Sequence, residues 1–143
     1  MKKLILILLI TITLLATLAC TDINILAGIN QVRLNNGLNQ LAENQRLNDF
    51  AAYRLNKMQI PSHNDFKSDY MFFMNVTTIT LIGEIIAFSP IQQLTEAYIN
   101  AWLNSPSHKQ TILSPFLNFG MASGYINGNY VIVVEFDLLT YNQ

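Results

Sequence analysis

The stretch FGMASGYINGNYVIVVEFD, from Phe119 to Asp137, constrains the fold more than any other part of the chain. Asn127-Gly128 is a dipeptide that favours a tight hairpin turn, so a strand is expected on each side of it. In the second strand Tyr130, Ile132 and Val134 point one way, while Val131, Val133 and Phe136 are also apolar and break strict alternation. A strand that is apolar on both faces must be covered on both. Helices are the elements available to cover it, which predicts an α+β fold with strands between helical layers.

The rest of the chain supplies those helices. Ile25, Leu26, Ile29 and Val32 recur at three- and four-residue spacing, and Gly37 ends the pattern. A second helix is expected from Asn44 to Met58, with Leu47, Phe50, Ala51, Arg54, Leu55 and Met58 along one stripe; Pro61 breaks it and delivers His63 into a loop. From Tyr70 to Ala87 the text is apolar and rich in β-branched residues, which predicts extended chain. Glu84 is the only charge in the later part of that run, and a carboxylate in such surroundings needs a partner. The segment SPIQQLTEAYINAWLNSP predicts a helix with Ser89 as cap and Pro90 at its first position, its stripe made of Ile91, Leu94, Tyr98, Ala101 and Trp102. Ser105 and Pro106 stop it and start a short helix carrying His108 in its first turn.

The N-terminus has a different character. Lys2 and Lys3 precede an unbroken apolar run from Leu4 to Ala19, shorter than the roughly 20 residues of a membrane span and suited to a secretory signal peptide. The run stops at Cys20, the single cysteine, in a setting that resembles the lipobox of bacterial lipoproteins, with Thr17 where the usual leucine stands. That resemblance implies cleavage after residue 19, acylation of Cys20, a short tether over residues 20–24 and a domain over residues 25–143. A plain signal peptide that leaves a free thiol is the alternative. Without residues 1–19 the chain has 124 residues, with six basic against nine acidic side chains and a net charge of −3. That length can bury a core without disulfides, and a mildly acidic chain with no basic cluster argues against nucleic acid as partner.

The pieces INQVRLNNGLNQL, SH, GE, AWLNSPSHKQTIL and FGMASGYINGNYVIVVEF stand in the order found in the CAP (SCP-like) superfamily, and from Ile25 to Asp137 the chain resembles its compact bacterial form. The resemblance implies a three-layer α-β-α sandwich around a mainly antiparallel sheet. It also implies a cleft where two histidines and two acidic residues face each other. His63, Glu84 and His108 fall at three of those places, while the expected glutamate after Trp102 is absent and Ile85 replaces the asparagine that usually follows the cleft glutamate.

Two imidazoles and a carboxylate can also bind a divalent metal such as Zn²⁺, with Glu84 as ligand or as the residue that orients an imidazole. Taken singly, each histidine is readable as a capping, surface or loop residue, and Glu84 as a buried strut. Two functions follow. One is a lipid-anchored, non-enzymatic binding module of the cell envelope for a small or lipidic ligand, as some CAP proteins hold sterols and fatty acids. The other is a hydrolase using His63, Glu84 and His108; no serine, cysteine or threonine stands in a recognised nucleophile motif, so it would depend on a metal-activated water. An adhesin for a host or envelope protein fits the expected location alone. The expected protein is exported, anchored to a membrane or outer surface, and monomeric.

Overall fold

The computed structural model describes residues 24–79 and 81–139. The signal peptide, Cys20, most of the tether and the last four residues of the expected domain lie outside the described residues.

The chain runs α1 (Ile25–Asn35), β1 (Ala42–Glu43), α2 (Gln45–Lys57), α3 (Phe66–Met74), β2 (Ile82–Ser89), α4 (Thr95–Leu103), α5 (Pro106–Ile112), β3 (Asn118–Ile126) and β4 (Asn129–Asp137). The four strands form one sheet in the order β1-β3-β4-β2. β3 and β4 form the expected hairpin, Asn127 and Gly128 both taking positive φ (50° and 81°) as a type I′ turn requires. β2 is antiparallel to β4, whereas β1 runs parallel to β3, so the sheet is mixed rather than purely antiparallel.

β4 is buried along almost its whole length because helices cover both of its faces. Ile132, Val134 and Phe136 pack with Ile25 and Ile29 of α1, Tyr98, Ile99 and Trp102 of α4, and Ile112 of α5. On the other face Val131 and Val133 pack with Ala51 of α2 and Ile86 of β2, and Leu47 and Phe50 join Tyr70 and Met74 of α3. The result is the three-layer α-β-α sandwich. α2 lies so close to β3 that a Cβ on Gly120 would stand 2.3 Å from the backbone carbon of Leu47, a separation only glycine permits.

Two local expectations are corrected. The extended chain expected from Tyr70 begins only at Ile82, because Phe66–Met74 is a helix whose apolar side chains fill the space beside Phe50. The helix expected after Ser89 begins only at Thr95. Ser89 ends β2 instead, and the Tyr98 hydroxyl accepts from the Gln93 backbone N–H at 2.9 Å, holding residues 89–94 as a loop.

Candidate functional site

The site is built around a cation on the buried stripe of α2. Arg54 is 2% exposed, and its guanidinium spends all five N–H groups. Nε and Nη2 donate to Glu84 Oε2 and Oε1 at 2.8 and 3.0 Å, a two-pronged grip on one carboxylate. Nη1 donates to Asp69 of α3 at 2.7 Å and to the Asn64 carbonyl at 2.9 Å, and Nη2 donates to the Ser62 carbonyl at 3.1 Å. The last two bonds fix the loop on either side of His63, whose Nδ1 then lies 2.9 Å from Glu84 Oε1. Arg54 is thus the missing partner of Glu84.

His108, in the first turn of α5, faces His63 from the other helical layer with ring centroids 6.0 Å apart. The three residues expected in the cleft therefore lie together, but their roles differ. Glu84 has both oxygens engaged, whereas His63 keeps half its side chain exposed. Among the described residues no group of three or more His, Cys, Asp or Glu is arranged to hold a metal ion. What the cleft offers a metal is two imidazoles, with Glu84 orienting one of them from behind.

Burial pushes the Glu84 carboxyl up, but hydrogen bonds with His63, Arg54 and Glu135 outweigh it and hold the group below its ordinary range. Burial also works against the charge on Arg54, and the carboxylates of Glu84 and Asp69 overcome that in turn. The His108 imidazole is pushed below its ordinary range, first by burial and then by His63, so it is neutral at pH 7.

A third acidic residue enters from a direction the sequence did not disclose. Glu135 of β4 stands directly across from Glu84 in the sheet and is 1% exposed. Neither of its oxygens receives an N–H or O–H; the polar group it meets is the Glu84 carboxylate. Burial first, and then the charge on Glu84, raise the Glu135 carboxyl well above the ordinary carboxylate range, so Glu135 keeps its proton and can donate it to Glu84.

A pH dependence of stability follows. The unfolded chain releases the Glu135 proton near pH ~4.3 while the folded protein retains it, so stability attributable to this group falls as pH rises above that value. Glu135→Gln keeps the shape and has no proton to lose. Its melting temperature is expected to exceed that of the unsubstituted protein at pH 7, with the gain shrinking as pH falls toward ~4. An unchanged or lowered value at pH 7 contradicts a protonated Glu135.

Beside His108 a groove of about 370 Å³ runs between β2 and α4, lined by Ile86, Ala87, Phe88, Ala97, Tyr98, Ala101 and Trp102. β2 is an edge strand, and the Trp102 indole donates from Nε1 to the Ile86 carbonyl at 3.2 Å, filling part of that edge. Trp102 is therefore both core and groove wall.

The family model described as the cysteine-rich secretory protein family, CAP, matches residues 26–136, a span that includes every site residue named above. The chain belongs to the CAP family. Among solved structures, an outer surface protein of Borrelia burgdorferi is 26% identical with a TM-score of 0.63, covering 78% of this chain and 86% of that one. An extracellular protein of Bacillus anthracis containing an SCP domain is 25% identical, also with a TM-score of 0.63, covering 79% of this chain but only 38% of its own. Venom allergen-like protein 4 of Schistosoma mansoni, at 15% identity and a TM-score of 0.60, shares the fold. No curated protein matches the chain in sequence. The acid next to Glu84 in this CAP domain is Glu135, its buried register partner in the sheet; no acid follows Trp102 in residues 103–106.

Proposed function

We propose that this CAP-domain protein is exported, anchored through an acylated Cys20, and acts as a non-enzymatic binding module whose small or lipidic ligand enters the groove between β2 and α4. The observation that carries this reading is the contrast between the cleft and the groove. Arg54 occupies both oxygens of Glu84, so that carboxylate is engaged as a strut and is not free to take a substrate proton. The groove beside it is apolar, about 370 Å³ in volume, and ends at a neutral imidazole able to donate a hydrogen bond to a ligand head group. Export is supported by the surface and extracellular relatives and by the Lys-led apolar run before Cys20.

The soluble domain should bind a fluorescent fatty acid, cis-parinaric acid, with a rise in emission. Ala101→Trp, placed on an exposed position of the groove wall, should abolish that rise without lowering the melting temperature. Equal binding by both forms would contradict the groove as the ligand site.

The facing imidazoles support a second reading, in which His63 and His108 hold Zn²⁺ while Glu84 orients His63. A bound Zn²⁺ would supply a Lewis acid. Calorimetric titration should then show binding at pH 7 that weakens toward pH 5.5, because imidazole coordinates only when neutral. Binding that survives His63→Ala together with His108→Ala would contradict it.

A further inference from the structure

The large apolar side chains exposed on this protein are not scattered. Of the eight found among the described residues, Ile60, Phe88, Ile91, Leu94 and Tyr125 gather at one end of the sandwich. That end is defined by the β3-β4 turn. Tyr125 and Ser89 both pair with Tyr130 beside the turn, and the side chain of Asn127 in the turn donates to the Gln59 carbonyl at 2.8 Å, bringing Ile60 alongside. Ile91 and Leu94 belong to the loop that leaves Ser89 and enters α4.

The same end is poor in charge. Residues 58–64, 87–95 and 123–131, which supply it, contain no Asp, Glu, Lys or Arg, and the charges that border it are the Lys57–Asp65 pair beside Ile60 and Glu96 after Thr95. In a chain with 17 such residues, three charge-free segments converging on one end make a surface of distinct chemistry.

The tether leaves from this end too. The Asn24 backbone N–H donates to Thr95 Oγ1 at 3.1 Å, so the first described residue is fastened one position after Leu94. Only Thr21, Asp22 and Ile23 separate Asn24 from Cys20, and however they are arranged they span no more than about 14 Å. An acyl chain on Cys20 enters the hydrocarbon layer, so Asn24 and its surroundings must lie within that distance of the bilayer surface. A domain held so closely presents one face to the lipid, and the face nearest the anchor is the one that gathers the exposed apolar side chains.

We infer that the end formed by Ile60, Phe88, Ile91, Leu94 and Tyr125 is a membrane-resting face, seated on the lipid surface by apolar contact while acylated Cys20 holds it there. The inference rests on the lipid-anchor reading and adds to it an orientation. Apolar side chains and a tyrosine suit the boundary between head groups and acyl chains. The one bordering cation, Lys57, is paired with Asp65, and Glu96 adds a negative charge, so the face has no net positive charge with which to draw anionic head groups. The β2-α4 groove reaches Phe88 and Gln93 at this same end.

The test uses the full chain, acyl-labelled in a bacterial host and transferred to phosphatidylcholine vesicles that contain lipid brominated near the head-group end of its acyl chains. Tryptophan is introduced by Leu94→Trp in one variant and by Phe72→Trp in another. Phe72 is 79% exposed on α3, near Met74, whose carbonyl accepts from Arg46 at the far end of α2. The native Trp102 is buried and serves as baseline. The expected result is strong quenching in Leu94→Trp, and quenching no greater than baseline in Phe72→Trp, at unchanged magnitude when anionic lipid is added. Acyl label at Cys20 with equal or absent quenching at both positions would leave the anchor standing and overturn the face. Quenching that requires anionic lipid would overturn apolar seating in favour of head-group recognition. Absence of label at Cys20 would overturn the anchor and the orientation that depends on it.

Discussion

Arg54→Met is expected to cost about 3–5 kcal/mol, because it leaves Glu84 buried with its cation removed, whereas Asp69 keeps its ion pair with Lys57 at 2.6 Å. Thermal unfolding should show this as a fall in melting temperature on the order of 15 °C. The loss has a specific origin, so it has a specific remedy: adding Glu84→Gln to Arg54→Met removes the stranded charge and should recover part of it. The Ser62 and Asn64 carbonyls lose their donors in both variants, so recovery should be incomplete and His63 should be less well positioned. A fall of under about 1 kcal/mol for Arg54→Met would mean that Glu84 is neutral or solvated, contrary to the network seen here.

Trp102→Ala should cost a similar amount, about 3–5 kcal/mol, because the indole is the largest fully buried side chain and its removal opens a cavity between α4 and the sheet. Trp102→Phe separates the two contributions of this residue. It retains most of the apolar bulk and gives up the hydrogen bond to the Ile86 carbonyl, worth about 1 kcal/mol plus the smaller cavity. Chemical denaturation of the two variants measures both. If Trp102→Phe were as costly as Trp102→Ala, the edge-strand hydrogen bond rather than packing would dominate.

What could be read in the sequence followed from strong local signals. The Asn127-Gly128 turn and the doubly apolar β4 predicted a sheet with helices on both faces, and the structure has that arrangement. Asn44 caps α2 through its side chain, a signal at the start of a clearly periodic segment. α3 carried no comparable signal. Its residues FKSDYMFFM show no clean polar face, and Asp65 before it adopts a left-handed conformation with no side-chain capping bond. The start of α4 was misplaced because a Ser-Pro pair has the look of a helix start, while the hydrogen bond from Gln93 to Tyr98 that holds the loop joins residues whose pairing depends on the fold.

The site divides in the same way. His63, Glu84 and His108 were readable through family order. Arg54 was present in the sequence as a cation on an otherwise apolar stripe, which is a usable sign of a buried charge seeking carboxylates. Glu135 was hidden by its surroundings. VIVVEF shows one carboxylate in a run that is otherwise apolar on both faces, and only the register of β2 against β4 reveals that it stands next to Glu84.

The central claim is that the ligand lies between β2 and α4 beside His108. Nuclear magnetic resonance of the soluble domain with a ¹³C-labelled fatty acid tests it most directly. Contacts from the labelled chain to the Ala97 and Ala101 methyls and the Trp102 indole are the predicted result. Contacts confined to Val32 and Ile99, in the separate groove between α1 and α4, would contradict it.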